Sequence, residues 1–171
     1  MADLSETLIA AVRRALDEPD LDVRILDRGS RWISDVRSVA IRVVGIRRIG
    51  SDEPRLAHEE PTDDLRETIH GVRVLRLQIT VDGVSHAIGD ASEDLADRLI
   101  AGLAREDVRE ILAAENLSAP VCDAVSCAPV RGDSDDVRSV AVFEASISTS
   151  RTIRGALLPW IETAPVTSVL S

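Results

Sequence analysis

Apolar residues recur at helical spacing near the start of the chain. Leu4, Leu8 and Val12 follow one another at intervals of four positions, which places them on one face of an α-helix. Residues 3–17 are therefore predicted to form an amphipathic helix. Over residues 22–28 the apolar positions alternate with polar ones instead, and this pattern predicts a short strand.

A second helical pattern occupies the middle of the chain. Leucines recur every four residues from Leu95 to Leu103, and acidic residues precede them, as suits the positive end of a helix dipole. Gly102 weakens this run, and a new pattern begins at Glu106. The segment is predicted to form two helices or one kinked helix that ends near Asn116.

The other apolar positions follow the spacing of strands and are rich in β-branched residues. In residues 71–81 the alternation slips partway along, which indicates a long strand with a bulge or a twist. Strands are predicted over residues 38–49, 71–81, 124–130, 137–148 and 164–170.

The order of these elements, α-β-β-β-α-α-β-β-β, predicts an α+β fold with helices packed on one face of a mostly antiparallel sheet. One domain is expected over residues 1–171. Between two of the strands lies a polar, acidic segment at about residues 50–68 that contains Pro54 and Pro61. It is predicted to be a long hairpin arm or a disordered loop, and an arm that orders on contact with neighbours is the favoured interpretation.

The charge balance narrows the possible partners. Thirty acidic residues outweigh twenty basic ones, which are all arginine, and the net charge is −10. A surface with this balance repels nucleic acid, so specific binding to DNA or RNA is disfavoured. The N-terminus lacks the pattern of a signal peptide, and no run is apolar enough to span a membrane. The chain is expected to act without a membrane and to be assembled inside the cell.

Residues capable of chemistry are few and scattered. His58, His70 and His86 lie at no metal-ligand spacing, and neither a phosphate-binding loop nor a nucleophile elbow is present. Cys127 could in principle form a nucleophile pair with His70 or His86, but nothing in the sequence positions them. No catalytic, cofactor or metal site is predicted, and the chain is expected not to be an enzyme.

The two cysteines, Cys122 and Cys127, are five residues apart. If both lie in one strand, they point to opposite faces with Cα atoms about 16 Å apart, which is beyond the reach of a disulfide. Two buried or half-buried thiols are therefore predicted, and a disulfide between subunits is the alternative.

Three stretches resemble the neck and tail-terminator proteins of tailed bacteriophages. The first is the strand and helix-rich block over residues 74–120, and the second is AVFEASIS, residues 141–148, which follows an arginine and aspartates. The third is the Trp-Ile-Glu-Thr step at residues 160–163, before the last predicted strand. The resemblance extends from about residue 36 to the end of the chain.

This resemblance implies a structural virion protein located at the tail or neck. Its copies would form a homohexameric ring that caps the tail tube, stops its polymerisation and joins the tail to the head-neck connector. The implied partners are other copies of the chain, the tail tube protein, the sheath protein of a contractile tail and the connector proteins, and DNA passes through the lumen without specific binding. Candidate interface residues are Arg55, Leu56, Leu65, Arg66, Trp160, Ile161 and Glu162.

Two alternatives remain open at the level of sequence. Another phage neck, head-completion or tail-tube protein would share the same class of contacts. A small hydrolase or ligand-binding α+β domain would instead have a deep pocket with converging polar groups.

Overall fold

The residues that the structure describes form three helices and six strands. The computed structural model describes residues 4–27, 30, 36–59, 64–83, 91–131 and 137–158. In chain order the elements are α1 (Leu4–Leu16), β1 (Asp22–Leu26), β2 (Ser38–Glu59), β3 (Asp64–Asp82), α2 (Ala91–Leu103), α3 (Glu106–Ala113), β4 (Val121–Cys122), β5 (Ser126–Arg131) and β6 (Val137–Leu158).

The six described strands belong to one sheet. The order is β1-β2-β3-β6-β4, and β5 also pairs with β6. β1 runs parallel to β2, whereas the other pairings are antiparallel. Three of the strands are long, with 22, 19 and 22 residues in β2, β3 and β6, against about 3–10 residues for ordinary strands.

The helices pack against one face of this sheet. Leu77 and Ile79 of β3 are buried, as is Phe143 of β6, and they belong to one apolar cluster with Leu8 of α1 and Leu99 of α2. Because successive strand residues point to opposite faces, the odd-numbered residues of β3 face the helices. The even-numbered residues face the other side of the sheet, called the open face below, which no described helix covers.

A glycine sets the distance between α1 and α2. A Cβ atom added at Gly102 would lie 2.1 Å from the backbone oxygen of Ala15, far inside van der Waals contact. The absence of a side chain therefore lets the two helix backbones approach closely. The same glycine that weakens the helical pattern in the sequence is thus required by packing.

Helix α3 ends through a left-handed residue. Asn116 has φ 58°, and the backbone N–H of Leu117 donates to the carbonyl of Leu112 at 3.0 Å. This is the Schellman arrangement, which satisfies a carbonyl at the helix end and which asparagine tolerates better than most residues. Asp17 has the same conformation after α1, with φ 55°.

Ion pairs at the surface link the C-terminal end of α1 to the N-terminal end of α3. The guanidinium of Arg105 binds the carboxylates of Asp17 at 2.7 Å and Asp107 at 2.8 Å, and Arg14 reaches Asp107 at 2.6 Å. Hydrogen bonds from Arg105 are the main reason that the pKa values of both carboxyl groups are lowered. Because these groups are exposed, the network adds little stability at high salt.

The predicted α+β class is confirmed, with helices on one face of a mostly antiparallel sheet. The middle of the chain forms two separate helices, α2 and α3. The order of element types also agrees with the prediction, but the strands that make it up differ. The structure contains the two-residue strand β4, which was not predicted. The strand predicted over residues 164–170 lies outside the described residues.

Cys122 and Cys127 do not share a strand, so the condition on which their separation was estimated from the sequence does not hold. Cys122 belongs to β4 and Cys127 to β5, and these strands pair separately with β6, opposite Ala145 and Ala141. The half-buried thiol of Cys122 agrees with the sequence prediction, whereas Cys127 is exposed. Burial raises the pKa of the Cys122 thiol.

Residues 71–81 lie in one long strand, as predicted, but β3 itself contains no bulge over this range. β3 pairs with β6 in unbroken register over this range, and the irregularities lie in β2, after Val43 and after Ile49. The slip in the pattern has another cause. Val72 and Val74 are apolar positions of the open face, whereas Leu77 and its odd-numbered successors face the helices.

Gly102→Ala tests the close contact between α1 and α2. The added methyl group forces the helix backbones apart, and we expect the free energy of unfolding to fall by about 1–3 kcal/mol, as for other overpacked cores. Chemical denaturation measures it. Ala101→Leu, at the exposed neighbouring position, is the control and should change stability by less than about 0.5 kcal/mol. Equal stability of Gly102→Ala and wild type would contradict the role of Gly102.

Candidate assembly interface

The long strands β2, β3 and β6 continue well past the helical layer. The last row buried on the helix side contains Leu75 of β3 and Ile147 of β6. The part of β3 between Asp64 and Leu75 is about 36 Å long at 3.3 Å per residue. This three-stranded extension, residues 46–59, 64–74 and 148–158, is called the arm below.

Exposed apolar side chains mark both faces of the arm near its base. Ile49 and Val72 are directly opposite each other on the open face, and they are 50% and 42% exposed. Ile46, opposite Leu75, lies on the helix side of the sheet and is 67% exposed. Single exposed apolar residues are common, but adjacent ones outside the core are typical of a contact surface.

A bulge of three residues interrupts the pairing of β2 with β3 near the base of the arm. Between the pairs Ile49–Val72 and Glu53–His70, residues 50–52 of β2 lie against the single residue Gly71. The extra length is accommodated by Gly50, whose φ of 70° is unfavourable for residues with a side chain.

Ion pairs hold this bulge on its helix side. The carboxylate of Asp52 accepts two hydrogen bonds from the guanidinium of Arg73, at 2.8 and 3.0 Å, and Arg48 lies 3.4 Å from it. The Asp52 side chain lies over Gly71, where a Cβ atom would be 2.0 Å from its Oδ1. The hydrogen bonds with Arg73 lower the pKa of Asp52 and raise that of Arg73.

Both edges of the arm lack a partner strand within the described part of the chain. β1 pairs with β2 only as far as Arg42. On the other side, β5, β4 and a bridge from Leu117 cover β6 as far as Thr149. Residues 43–59 and 150–158 therefore present backbone N–H and C=O groups along open edges, which is the arrangement that templates pairing with another chain.

The arm contains four of the interface residues predicted from sequence. Its outer half aligns Arg55 with Thr68, Leu56 with Glu67, Ala57 with Arg66, and His58 with Leu65. Residues 53–59 and 64–67, which make up most of the acidic segment, are thus paired with each other or with the adjoining part of β3. Trp160, Ile161 and Glu162 lie outside the described residues.

Sequence reasoning missed the residues at the base of the arm. Ile46, Ile49 and Val72 were assigned to ordinary strands with no role in contacts. A signal was present: Ile46 and Ile49 flank Arg47 and Arg48, so the strand has an apolar and a charged residue on each of its faces.

The candidate residues for chemistry are not brought together where they are described. Cys127 is opposite Ala141 of β6, whereas His70 is opposite Thr152, so these positions are about 36 Å apart along the strand. The thiol of Cys127 lies 3.9 Å from a carboxylate oxygen of Glu93. The side chain of His58 and all of His86 lie outside the described part of the structure.

Sites for ligands are equally sparse within the described ranges. No group of three potential metal ligands is found there, and no described helix is long and apolar enough to cross a membrane. A groove of about 700 Å³ runs beside α1, with Ile9, Arg13, Arg14 and Asp17 in its lining. Arg14 and Asp17 are already engaged in ion pairs.

No protein-family model matches the sequence, and no curated protein matches it either. The geometry of the arm is therefore the main basis for a functional assignment.

Asp52→Asn tests the ion pairs of the bulge. The pKa of Asp52 is lowered in the folded protein, so its stabilisation is complete well above 3.8, its ordinary pKa, and is lost as the pH falls through the lowered value. We expect amide exchange around Val72 and Val74 to be faster in the variant than in wild type at pH 7, with the difference vanishing once the pH has fallen below the lowered pKa of Asp52.

Asp97→Asn, which removes an exposed carboxylate of α2, is the matched control for this measurement. It should leave exchange in the arm unchanged at every pH. Equal exchange of Asp52→Asn and wild type at pH 7 would show that the ion pairs do not hold the bulge.

Proposed function

We propose that the chain is a structural protein of a bacteriophage tail, a tail terminator. Its copies form a ring that caps the tail tube, stops its polymerisation and joins the tail to the head-neck connector. The arm carries this proposal, because it is a paired surface outside the core with no other described role. The resemblance of residues 74–120 and 141–148 to terminator proteins supplies the biological setting.

An arm of this kind gains stability from contact with neighbours. A narrow antiparallel ribbon without a packed face is only marginally stable in water. The exposed Ile46, Ile49 and Val72 would lose their contact with water in an assembly, and complete burial of one such side chain contributes about 1.5–3 kcal/mol. Contacts between arms therefore favour a ring over isolated copies.

Capping requires surfaces of complementary shape and no catalysed reaction. In a ring, each copy gives one patch and receives another, so that the circle closes and leaves no surface to recruit a further copy. A tail-tube protein would use similar contacts but would continue to stack into open tubes. Growth stops in a terminator because one face fits the tube and the other does not.

The acidic balance of the chain suits a ring around DNA. With a net charge of −10, the protein repels the phosphate backbone, and DNA can pass through the lumen without binding. The partners under this proposal are the tube protein on one face, the connector proteins on the other and the sheath protein where the tail is contractile.

Ile49→Asp tests whether the base of the arm drives ring formation. A charge at this position opposes burial, so we expect rings of uniform mass for wild type and monomers for the variant. Light scattering after size exclusion, with electron microscopy, gives the mass and the shape. Ala101→Asp adds the same charge to the exposed surface of α2 and should still form rings. Wild-type protein that stays monomeric at high concentration would contradict the proposal, as would open tubes.

The capping role itself is tested in virions. Particles assembled without this chain should carry tails of irregular length or tails without heads, as seen by electron microscopy. Tails of normal, uniform length joined to heads in its absence would refute the terminator assignment.

A further inference from the structure

The two open edges of the arm lie at the same height in the sheet. Ile49 of β2 and Ser150 of β6 both align with Val72 of β3, and at the tip His58 and Leu158 both align with Leu65. Residues 49–59 and 150–158 therefore flank the same stretch of β3. A rotation about an axis along the arm brings the β6 edge of one copy beside the β2 edge of the next.

These edges carry opposite formal charge. Residues 150–158 contain Arg151 and Arg154 and no acidic residue, whereas residues 49–59 contain three acidic residues and one arginine. Pairing of two β6 edges would bring together two segments whose charged residues are all arginine, and pairing of two β2 edges would bring together two segments of net negative charge. Pairing of β6 with β2 of another copy instead brings together segments of opposite net charge, which is the favourable combination because like charges opposite each other destabilise a sheet.

The backbone groups of β6 are available for such a pairing. Ser148 accepts a hydrogen bond at its carbonyl from the N–H of Ser118, on the edge away from β3, at 2.8 Å. The direction of the backbone N–H and C=O groups alternates from residue to residue along a strand. The N–H and C=O groups of Ser150, Thr152 and Arg154 therefore point to the same edge as those of Ser148.

The position of Pro54 indicates which backbone N–H groups of β2 point to its open edge. Pro54 pairs with Ile69 and has no N–H to donate, and such a proline in an edge strand has its nitrogen on the open side. By the same alternation, the N–H groups of Leu56 and His58 point to the open edge. The proline removes one donor from this edge and leaves the next two in place.

Strand direction then defines the junction. β3 is antiparallel to both β2 and β6, so β2 and β6 run in the same direction. In a ring every copy has the same orientation relative to the axis, so β6 meets the neighbouring β2 in a parallel pair. A two-fold dimer would instead pair β2 with β2, or β6 with β6, in antiparallel fashion.

We infer that copies of this chain join through a parallel strand pair between residues 150–158 of one copy and residues 49–59 of the next. The sheets of all copies then form one continuous barrel with three arm strands per copy and no open edge. This inference rests on the proposed self-assembly and specifies the contact that produces it.

Cysteine cross-linking tests the junction in full-length protein in which Cys122 and Cys127 are replaced by serine. Leu56→Cys and Thr152→Cys are made singly and together, and Leu56→Cys is also combined with Ser150→Cys or Arg154→Cys to sample the register. Within one chain these positions lie on either side of β3, so they are at least about 9.6 Å apart across two strand spacings, and their offset along the strands adds to that separation. That separation exceeds disulfide reach, so any bond joins two copies.

Oxidation should convert at least one of the double variants into a ladder of covalent multimers on a non-reducing denaturing gel, while the single variants stay monomeric. A dimer formed by a single variant would overturn the inference in favour of two-fold pairing. Absence of a ladder in every double variant would overturn it too, since another segment or partner would then cover the edge. Thermal unfolding of the reduced proteins confirms that each variant is folded.

The experiments distinguish a failure of the strand junction from a failure of the terminator assignment. Closed rings without any of these cross-links would refute the strand junction and leave the capping role standing. A cross-linked ladder from proteins that grow into open tubes would support the junction and refute the terminator assignment.

Discussion

The structure depends on a hydrogen-bonded register that three strands keep beyond the reach of the helices. β2, β3 and β6 pair continuously from the core to the level of Leu65, apart from local bulges. Near the base, burial of residues such as Leu77 and Phe143 fixes this register, because a slip by one residue would turn the apolar side chains out of the core. Along the arm, the register is fixed by the backbone hydrogen bonds between the strands and by the ion pairs of Asp52.

Helix packing and arm exposure are connected. Gly102 lets α1 and α2 pack closely, so the helical layer is compact and covers only the lower part of the long strands. The upper part keeps the pairing of a sheet, and none of the described helices covers it. Exposed isoleucines and open edges are costly features for an isolated protein, and a ring of identical copies would remove both at once.

Local patterns predicted the helices well, because helix periodicity and end signals are contained in neighbouring residues. The spacing of Leu95 and Leu103 and the left-handed Asn116 are examples. The arm was harder to predict, because its strands pair with residues far away in sequence, and Pro54 with its acidic neighbours also suits a loop. The turn between Cys122 and Cys127 was missed for the same reason: β4 and β5 are defined only by their pairing with β6.

The central claim is that the arm edges are contact surfaces between copies. Hydrogen exchange followed by mass spectrometry, at dilute and at concentrated protein, measures this most directly. The account predicts that amides in residues 53–59 and 150–158 become protected as concentration rises, while those of the buried stretch 75–81 stay equally protected throughout. Edge amides whose exchange is independent of concentration, in protein that demonstrably assembles, would contradict it.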